Sequence, residues 1–202
     1  MIVWGKDRFD KRIFDLWEDL QKREYSAQKK SPVGVFSVES CESANMVGDI
    51  LREQLHGECL DIGCGLLPLP AYMKNQPNIK FIGIDPFEDK IEREFDFVAG
   101  VGEHLPFNDM AFDGVLFAST IDHMIDPSTA FAEAYRVLKN GGKLFVWFNS
   151  CPKAHLGGSV YNKMHQWAFN NSVLFLYITG VGFTLSMTSH LKGSEYTIIA
   201  TK

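Results

Sequence analysis

The sequence predicts an α/β fold: a mostly parallel sheet covered by helices on both faces. Three observations carry this. Apolar runs of strand length alternate with helical patterns along the chain. Those runs are nearly continuous in apolar residues, as strands buried on both faces are. The last two strand-like segments are joined by a loop too short for a helical crossover, so they must pair antiparallel. At 202 residues the chain can bury one full core, and its 46% hydrophobic and 22% charged content is ordinary for a globular domain.

Each element has its own warrant. Arg8–Lys30 places Phe9, Ile13, Leu16, Trp17 and Leu20 at helical spacing among charges, which predicts one amphipathic helix ended by Ser31-Pro32-Val33-Gly34. A second helix starts near Ser40 or Glu42 and runs to Leu55, closed by His56-Gly57. Cys59–Ile62 is a short strand that breaks into Gly63-Cys64-Gly65, and a brief helix follows around Pro70–Lys74. Lys80–Ile84, Glu94–Ala99 and Gly114–Ala118 are the next strands. Ser128–Leu138 is helical, with Phe131, Ala134, Tyr135 and Leu138 on one face, and Gly141-Gly142 closes it before the strand Lys143–Phe148. Phe183–Thr188 and Tyr196–Thr201 form the terminal antiparallel pair around Lys192-Gly193-Ser194. The expected organisation is one structural domain: helices in 1–57 on the lid and acceptor side, and a core over 58–202 with 150–182 inserted on the acceptor side.

Composition narrows the function classes. A net charge of −5 argues against a nucleic-acid backbone as partner, and the basic group Lys22, Arg23, Lys29 and Lys30 reads as a solvated helix face. Cys41, Cys59, Cys64 and Cys151 lack metal-binding spacing and suit free thiols in a reducing cytoplasm. Met1–Arg12 carries charges where a signal peptide needs an apolar stretch, and Val173–Ile178, the longest apolar run, is too short to span a membrane.

The chemistry concentrates after the first strand. In Leu60-Asp61-Ile62-Gly63-Cys64-Gly65 a glycine pair lets backbone approach a ligand closely, at the place where open α/β sheets bind one. Asp85 ends the second strand, where a carboxylate accepts the two hydroxyls of an adenosine ribose. The same aspartate, followed by Pro86, equally suits a helix cap, and the two roles are compatible.

From here the sequence resembles the class I S-adenosylmethionine-dependent methyltransferases, in particular their type 11 group, over roughly residues 58–148. The resemblance rests on Leu60–Gly65, Gly83-Ile84-Asp85, Gly102-Glu103-His104-Leu105-Pro106-Phe107, Phe112-Asp113-Gly114-Val115, Ile121–Pro127 and Arg136–Leu144, in shared order and spacing. It implies a Rossmann-like three-layer sandwich around a seven-stranded, mostly parallel sheet with a C-terminal antiparallel strand. It also implies S-adenosylmethionine as cofactor. Asp61 and the Gly63, Cys64 and Gly65 backbone would hold the cofactor's amino-acid end, and Asp85 its ribose, with Pro86 beside the adenine. Gly102, Glu103 and His104 would line the adenine edge, and Ala118 or Ser119 would lie under the methionine chain. Two departures stand out. Leu67 replaces a customary third glycine, and Val101 replaces an aspartate that accepts from the adenine amino group, for which Glu103 is the nearest substitute.

The acceptor side is less legible. His123, at the end of the fourth strand, is the candidate general base, and a packed structural histidine is the plainer alternative. Trp17 and the segment Ser150–Gly182, with His155, Tyr161, His165, Trp167 and Phe169, are expected to select the acceptor. Trp167, Phe169, Leu174 and Tyr177 also read as a core-facing helix stripe. The two histidines lack any metal-motif spacing, so no metal is expected. The absence of an Asn-Pro-Pro-Tyr motif at Phe117-Ala118-Ser119-Thr120 points away from adenine and glutamine N-methylation, leaving a small-molecule or glycan-like acceptor. A nicotinamide-dependent oxidoreductase would need glycine at Pro68. A non-catalytic cofactor-binding relative is the second alternative, supported by Leu67 and Val101.

Overall fold

A computed structural model of the chain describes residues 7, 9–30, 42–87, 90–154 and 165–202. Seven strands form one sheet: β1 (Gly57–Ile62), β2 (Ile79–Asp85), β3 (Asp96–Ala99), β4 (Phe112–Ala118), β5 (Leu138–Asn149), β6 (Thr184–His190) and β7 (Glu195–Thr201). Their order is β3-β2-β1-β4-β5-β7-β6. All pairings up to β5 are parallel, and β7 runs antiparallel to both β5 and β6. The order reverses between β1 and β4, so the carboxyl ends of β1, β2 and β4 border the crevice where such sheets bind ligands.

Helices α1 (Lys11–Lys30), α2 (Glu42–Gln54), α3 (Pro127–Val137) and α4 (Asn171–Val181) surround the sheet. Continuous apolar strands divide their side chains between two cores by the period of two. Leu60, Ile62, Val115, Phe117, Leu144 and Val146 pack with Phe131 of α3 and Leu174 and Ile178 of α4. Cys59, Leu116, Phe145 and Trp147 point the other way, against Ala44, Val47 and Leu51 of α2. A third, smaller cluster of Trp17, Val101 and Ile125 seats α1 across the carboxyl edge of the sheet.

Local chemistry explains the boundaries. Asp126 caps α3 by accepting from the Ser128 amide at 3.0 Å, with Pro127 at the first helical position. Asn170 caps α4 through the Val173 amide at 2.9 Å, and Gly182 ends it in the left-handed region, φ +117°. Arg136 binds the carbonyls of Leu105 and Phe107, so this residue of the recurring motif is a clamp on the β3–β4 loop.

Three expectations need correction. The segment at Pro70–Lys74 holds only a 3-10 turn, Ala71–Met73. Gly141-Gly142 does not close a helix. α3 ends at Val137, β5 starts at Leu138, and the two glycines lie inside the strand where its pairing with β4 shifts register between Phe112 and Gly114. A Cβ on Gly142 would come within 2.9 Å of the Lys139 carbonyl oxygen, which is the close approach a bulge demands. Trp167 and Phe169 precede α4 rather than belonging to it. All four of Trp167, Phe169, Leu174 and Tyr177 pack into or against the core, and the indole of Trp167 also donates to the Met124 carbonyl at 2.6 Å.

Candidate active site

One cavity opens at the reversal point of the sheet, lined by residues from the β1, β2 and β4 ends, the β3–β4 loop, α1 and the far strands. It measures about 210 Å³ by the measure in which one water needs roughly 10–15 Å³, so it admits a ligand of many atoms.

The floor is the turn after β1. Gly63 and Gly65 stand at φ +81° and +69°, which only glycine adopts without strain. A Cβ on Gly63 would sit 2.7 Å from Thr120 Cγ2, and Thr120 itself donates to the Ile62 carbonyl at 2.7 Å, locking the turn to the end of β4. Ser119, a non-glycine residue at φ +60°, completes the rim, its amide bound to the Trp147 carbonyl at 2.8 Å. Strained backbone of this kind gathers at functional sites.

Asp85 forms the side wall. One carboxylate oxygen accepts from the Gly65 amide at 3.0 Å and the other from the Phe87 amide at 2.9 Å. Burial pushes its pKa up to about 6 against the opposing pull of those two N–H groups. Arg93 braces the same turn, donating to the Gly65 carbonyl at 2.9 Å.

The structure places two sequence-predicted residues, Asp61 and His104, away from the cavity wall, and commits a third, Glu103, to a neighbouring turn. Asp61 does not line the cavity. It is fully buried beneath the floor, where Tyr72, a lining residue, donates its hydroxyl to one carboxylate oxygen at 2.7 Å. Its other oxygen has no hydrogen-bond partner among the described residues, and burial lifts its pKa to about 7. Glu103 lines the cavity, but one of its oxygens holds the Ile125 and Asp126 amides, so it is committed to the turn before α3; burial raises its pKa to about 7 as well. His104 does not line the cavity. Its amide closes a turn onto the Val101 carbonyl. Cys64, Pro86, Gly102 and Ala118 border the cavity as expected.

At the end of the cavity beneath α1 stand Trp17, Gln21 and Glu24 of that helix, His123 and His165. The Trp17 indole donates to the His123 carbonyl at 2.7 Å and fixes the helix over the opening. The His123 and His165 rings lie 4.8 Å apart, centroid to centroid. Asp122 faces both, with Oδ1 3.9 Å from His123 Nε2 and Oδ2 3.7 Å from His165 Nε2. Burial lowers both imidazole pKa values. His155 and Tyr161 lie outside the described residues.

Sequence reading missed Tyr72, Trp147 and Glu195, all on the cavity wall. Tyr72 sits in a segment with no regular pattern, and the other two come from strands that meet only through the reversed pairing of β5 with β7.

The wall fits a cationic adenosyl ligand on two counts. It carries Asp85, Glu24, Glu103 and Glu195, and no lysine or arginine among its described residues. The Gly63 cradle is also open only because a Cβ is absent. Fold and site resemble those of the class I S-adenosylmethionine-dependent methyltransferases, and S-adenosylmethionine is the cofactor that such a domain takes. The family model described as "Methyltransferase domain" matches residues 60–146. The chain is 30% identical over 120 residues to the ubiquinone/menaquinone biosynthesis C-methyltransferase UbiE of Geobacter sulfurreducens, covering 52% of this chain and 47% of that protein. It is 28% identical over 125 residues to the O-methyltransferase cnsE of Penicillium expansum, covering 52% and 45%. The chain thus spans about half the length of the curated relatives it matches. Among solved structures, a Burkholderia thailandensis 1,6-didemethyltoxoflavin-N1-methyltransferase, with bound 1,6-didemethyltoxoflavin and S-adenosylhomocysteine, superposes with TM-score 0.74 at 17% identity, covering 92% of this chain and 88% of that one. The [4+2]-cyclase SpnF superposes at 0.65 with 24% identity, covering 75% and 62%. At these identities the two structures speak for the fold alone.

Proposed function

We propose that the chain transfers a methyl group from S-adenosylmethionine to a small-molecule or glycan-like acceptor. The observation that carries this reading is the convergence of the Gly63–Gly65 turn, Asp85 and the strained Ser119 on one cavity at the sheet's reversal point. Asp85 accepts the ribose hydroxyls, each carboxylate oxygen having a lone pair beyond the one its amide partner uses. The Gly63, Cys64 and Gly65 backbone cradles the amino-acid end, Pro86 and Gly102 flank the base, and Ala118 and Ser119 support the methionine chain. Asp61 acts from beneath through Tyr72, which holds the floor at its negative potential.

The cofactor supplies an electrophilic methyl on sulfur, and the protein's task is alignment of an acceptor with it. His123 is the catalytic group of this reading, facing the acceptor's polar hydrogen beneath α1. The acidic wall suits a neutral or cationic acceptor and disfavours phosphate-bearing ones, nucleic acid included. Cys59, Cys64 and Cys151 are free, which suits a reducing cytoplasmic setting, and among the described residues no helix is long and apolar enough to cross a membrane.

Calorimetric titration with S-adenosylmethionine and mass-spectrometric detection of S-adenosylhomocysteine across hydroxyl and amine acceptors test the proposal. His123→Ala is expected to lower turnover with cofactor affinity retained. A chain that ignores S-adenosylmethionine, or a fully active His123→Ala, contradicts it.

A further inference from the structure

The acceptor end of the cavity holds a group of side chains that neither the cofactor site nor the core accounts for. Asp122, His123 and His165 each present a ligand atom, and these atoms all lie within 4.8 Å of one another. Two ligand atoms on one first-row ion, each about 2.1 Å from it, stand roughly 3.0–3.4 Å apart in tetrahedral or octahedral geometry. The carboxylate–imidazole separations, 3.9 Å from Oδ1 and 3.7 Å from Oδ2, are longer than a hydrogen bond, and the three ligand atoms would draw together from a spread of up to 4.8 Å to share one ion. A carboxylate that faces both rings, bonded to neither, leaves room for a third body.

The arrangement is also built. The amides of Gln166 and Trp167 both donate to the Asp122 carbonyl at 3.0 Å, and the Trp167 indole donates to the Met124 carbonyl at 2.6 Å. These bonds fasten the segment carrying His165 against the turn carrying Asp122 and His123. The Gln166 side chain adds a further bond to the Ile125 carbonyl. From the other side, Trp17 and Gln21 both donate to the His123 carbonyl. The position of His123 is thus fixed through its backbone, whereas its ring Nδ1 is buried with no hydrogen-bond partner among the described residues. Side chains of 14–21% relative exposure leave the group shielded from bulk water but open to the cavity, which His123 and His165 line.

We infer that Asp122, His123 and His165 form a site for a divalent transition-metal ion of the zinc, cobalt or manganese type, set at the acceptor end of the cavity to bind an oxygen-bearing acceptor. Two imidazoles and one carboxylate on one side of an ion leave positions open on the other, and that other side is the cavity. The inference deepens the methyl-transfer reading and rests on it for the ion's purpose. It makes His123 a ligand in place of a free base and selects hydroxyl acceptors, catechols and enols among them. In the transfer the acceptor oxygen forms its bond to the methyl carbon, the carbon–sulfur bond breaks with its electron pair kept by sulfur, and the hydroxyl proton passes to solvent. The ion lowers the cost of losing that proton.

The test uses the full chain, stripped with EDTA and dialysed, and titrated with Co²⁺ alone. One Co²⁺ per chain is expected, with visible ligand-field absorption. His165→Ala and the near-isosteric Asp122→Asn are each expected to weaken uptake by roughly tenfold or more, while the exposed His190→Ala leaves it unchanged. Circular dichroism of each variant in EDTA confirms folding, and Asp122→Asn carries the test should His165→Ala fail to fold. No stoichiometric uptake of Co²⁺, Zn²⁺ or Mn²⁺ overturns the site, as does uptake indifferent to both substitutions. S-adenosylmethionine affinity, measured in EDTA on the same preparation, separates the two claims. Its absence with Co²⁺ bound removes the methyl-transfer reading and leaves the ion site standing, and the reverse result removes the ion site alone.

Discussion

Asp85 and Asp61 show how two carboxylates on neighbouring strands take up different work. Asp85 touches the cavity and is held by two amides, so its orientation is fixed before any ligand arrives. Asp85→Ala is expected to weaken S-adenosylmethionine binding by about tenfold or more, on the order of 1.4 kcal/mol, read by calorimetry on a folded variant. Asp61 carries a buried charge answered by one hydroxyl. Asp61→Asn keeps an acceptor for Tyr72 while removing that charge. The free variant should melt at a higher temperature than the parent at pH 8 yet bind the cofactor more weakly, and a drop in both would contradict the division of roles. The sequence made both aspartates conspicuous. It did not reveal that one lies under the floor, because only the placement of Tyr72 decides which carboxylate the ligand reaches.

Helix α1 is the element on which the acceptor end depends. It joins the body through a small cluster, Trp17 with Val101 and Ile125, through two bonds to the His123 carbonyl, and through the Tyr25 ring against Phe87. Both large cores lie elsewhere, so α1 is expected to undock without global unfolding. Trp17→Ala should cost the docking roughly 3–5 kcal/mol, seen as faster hydrogen exchange across Lys11–Lys30 with the sheet still protected. Exchange unchanged in α1 would mean that other contacts hold it. The periodicity of Phe9, Ile13 and Trp17 was sufficient to read this helix from sequence, as unbroken apolar runs were for the parallel strands. The register shift across Gly141-Gly142 was not readable, since a glycine pair after a helix has the same signature whether it caps the helix or bulges a strand. The meeting of Asp122 with His165 was equally hidden: more than forty residues separate them, and main-chain bonds at Gln166 and Trp167, which carry no side-chain signature, bring them together.

Across the whole molecule, buried carboxylates set the response to pH. Asp61, Asp85 and Glu103 have pKa values lifted by burial to about 7, 6 and 7, from ordinary values of 3.8, 3.8 and 4.5. Between those limits the folded chain binds protons that the unfolded chain has released, so these carboxylates add stability as pH falls from 8 towards 5, against the smaller opposing pull of His123 and His165, whose pKa values burial lowers. Below about pH 4 the balance turns, because Asp113, whose pKa is lowered chiefly by its hydrogen bond from Lys139, loses that partner on protonation. If Asp85 accepts the ribose hydroxyls as proposed, cofactor binding should follow the opposite slope, since that role needs it ionised. The increase in Tm caused by saturating S-adenosylmethionine is therefore expected to shrink between pH 8 and pH 5 while the Tm of the free protein climbs. Parallel slopes for the free and bound protein would place the ligand away from these carboxylates.

The reversed placement of β7 has a consequence for assembly. This strand is the last of the seven in the chain, yet it sits inside the sheet, with β5 on one flank and β6 on the other. Until it slots in, β6 has no neighbour to pair with, and Glu195 is not yet beside Trp147, whose indole it accepts at 3.3 Å on the rear of the cavity. A nascent chain still waiting for those residues holds a finished glycine turn facing an open back. The ligand pocket becomes whole only when this strand is threaded between its two neighbours, so capture of the ligand doubles as a report that β7 has joined the sheet.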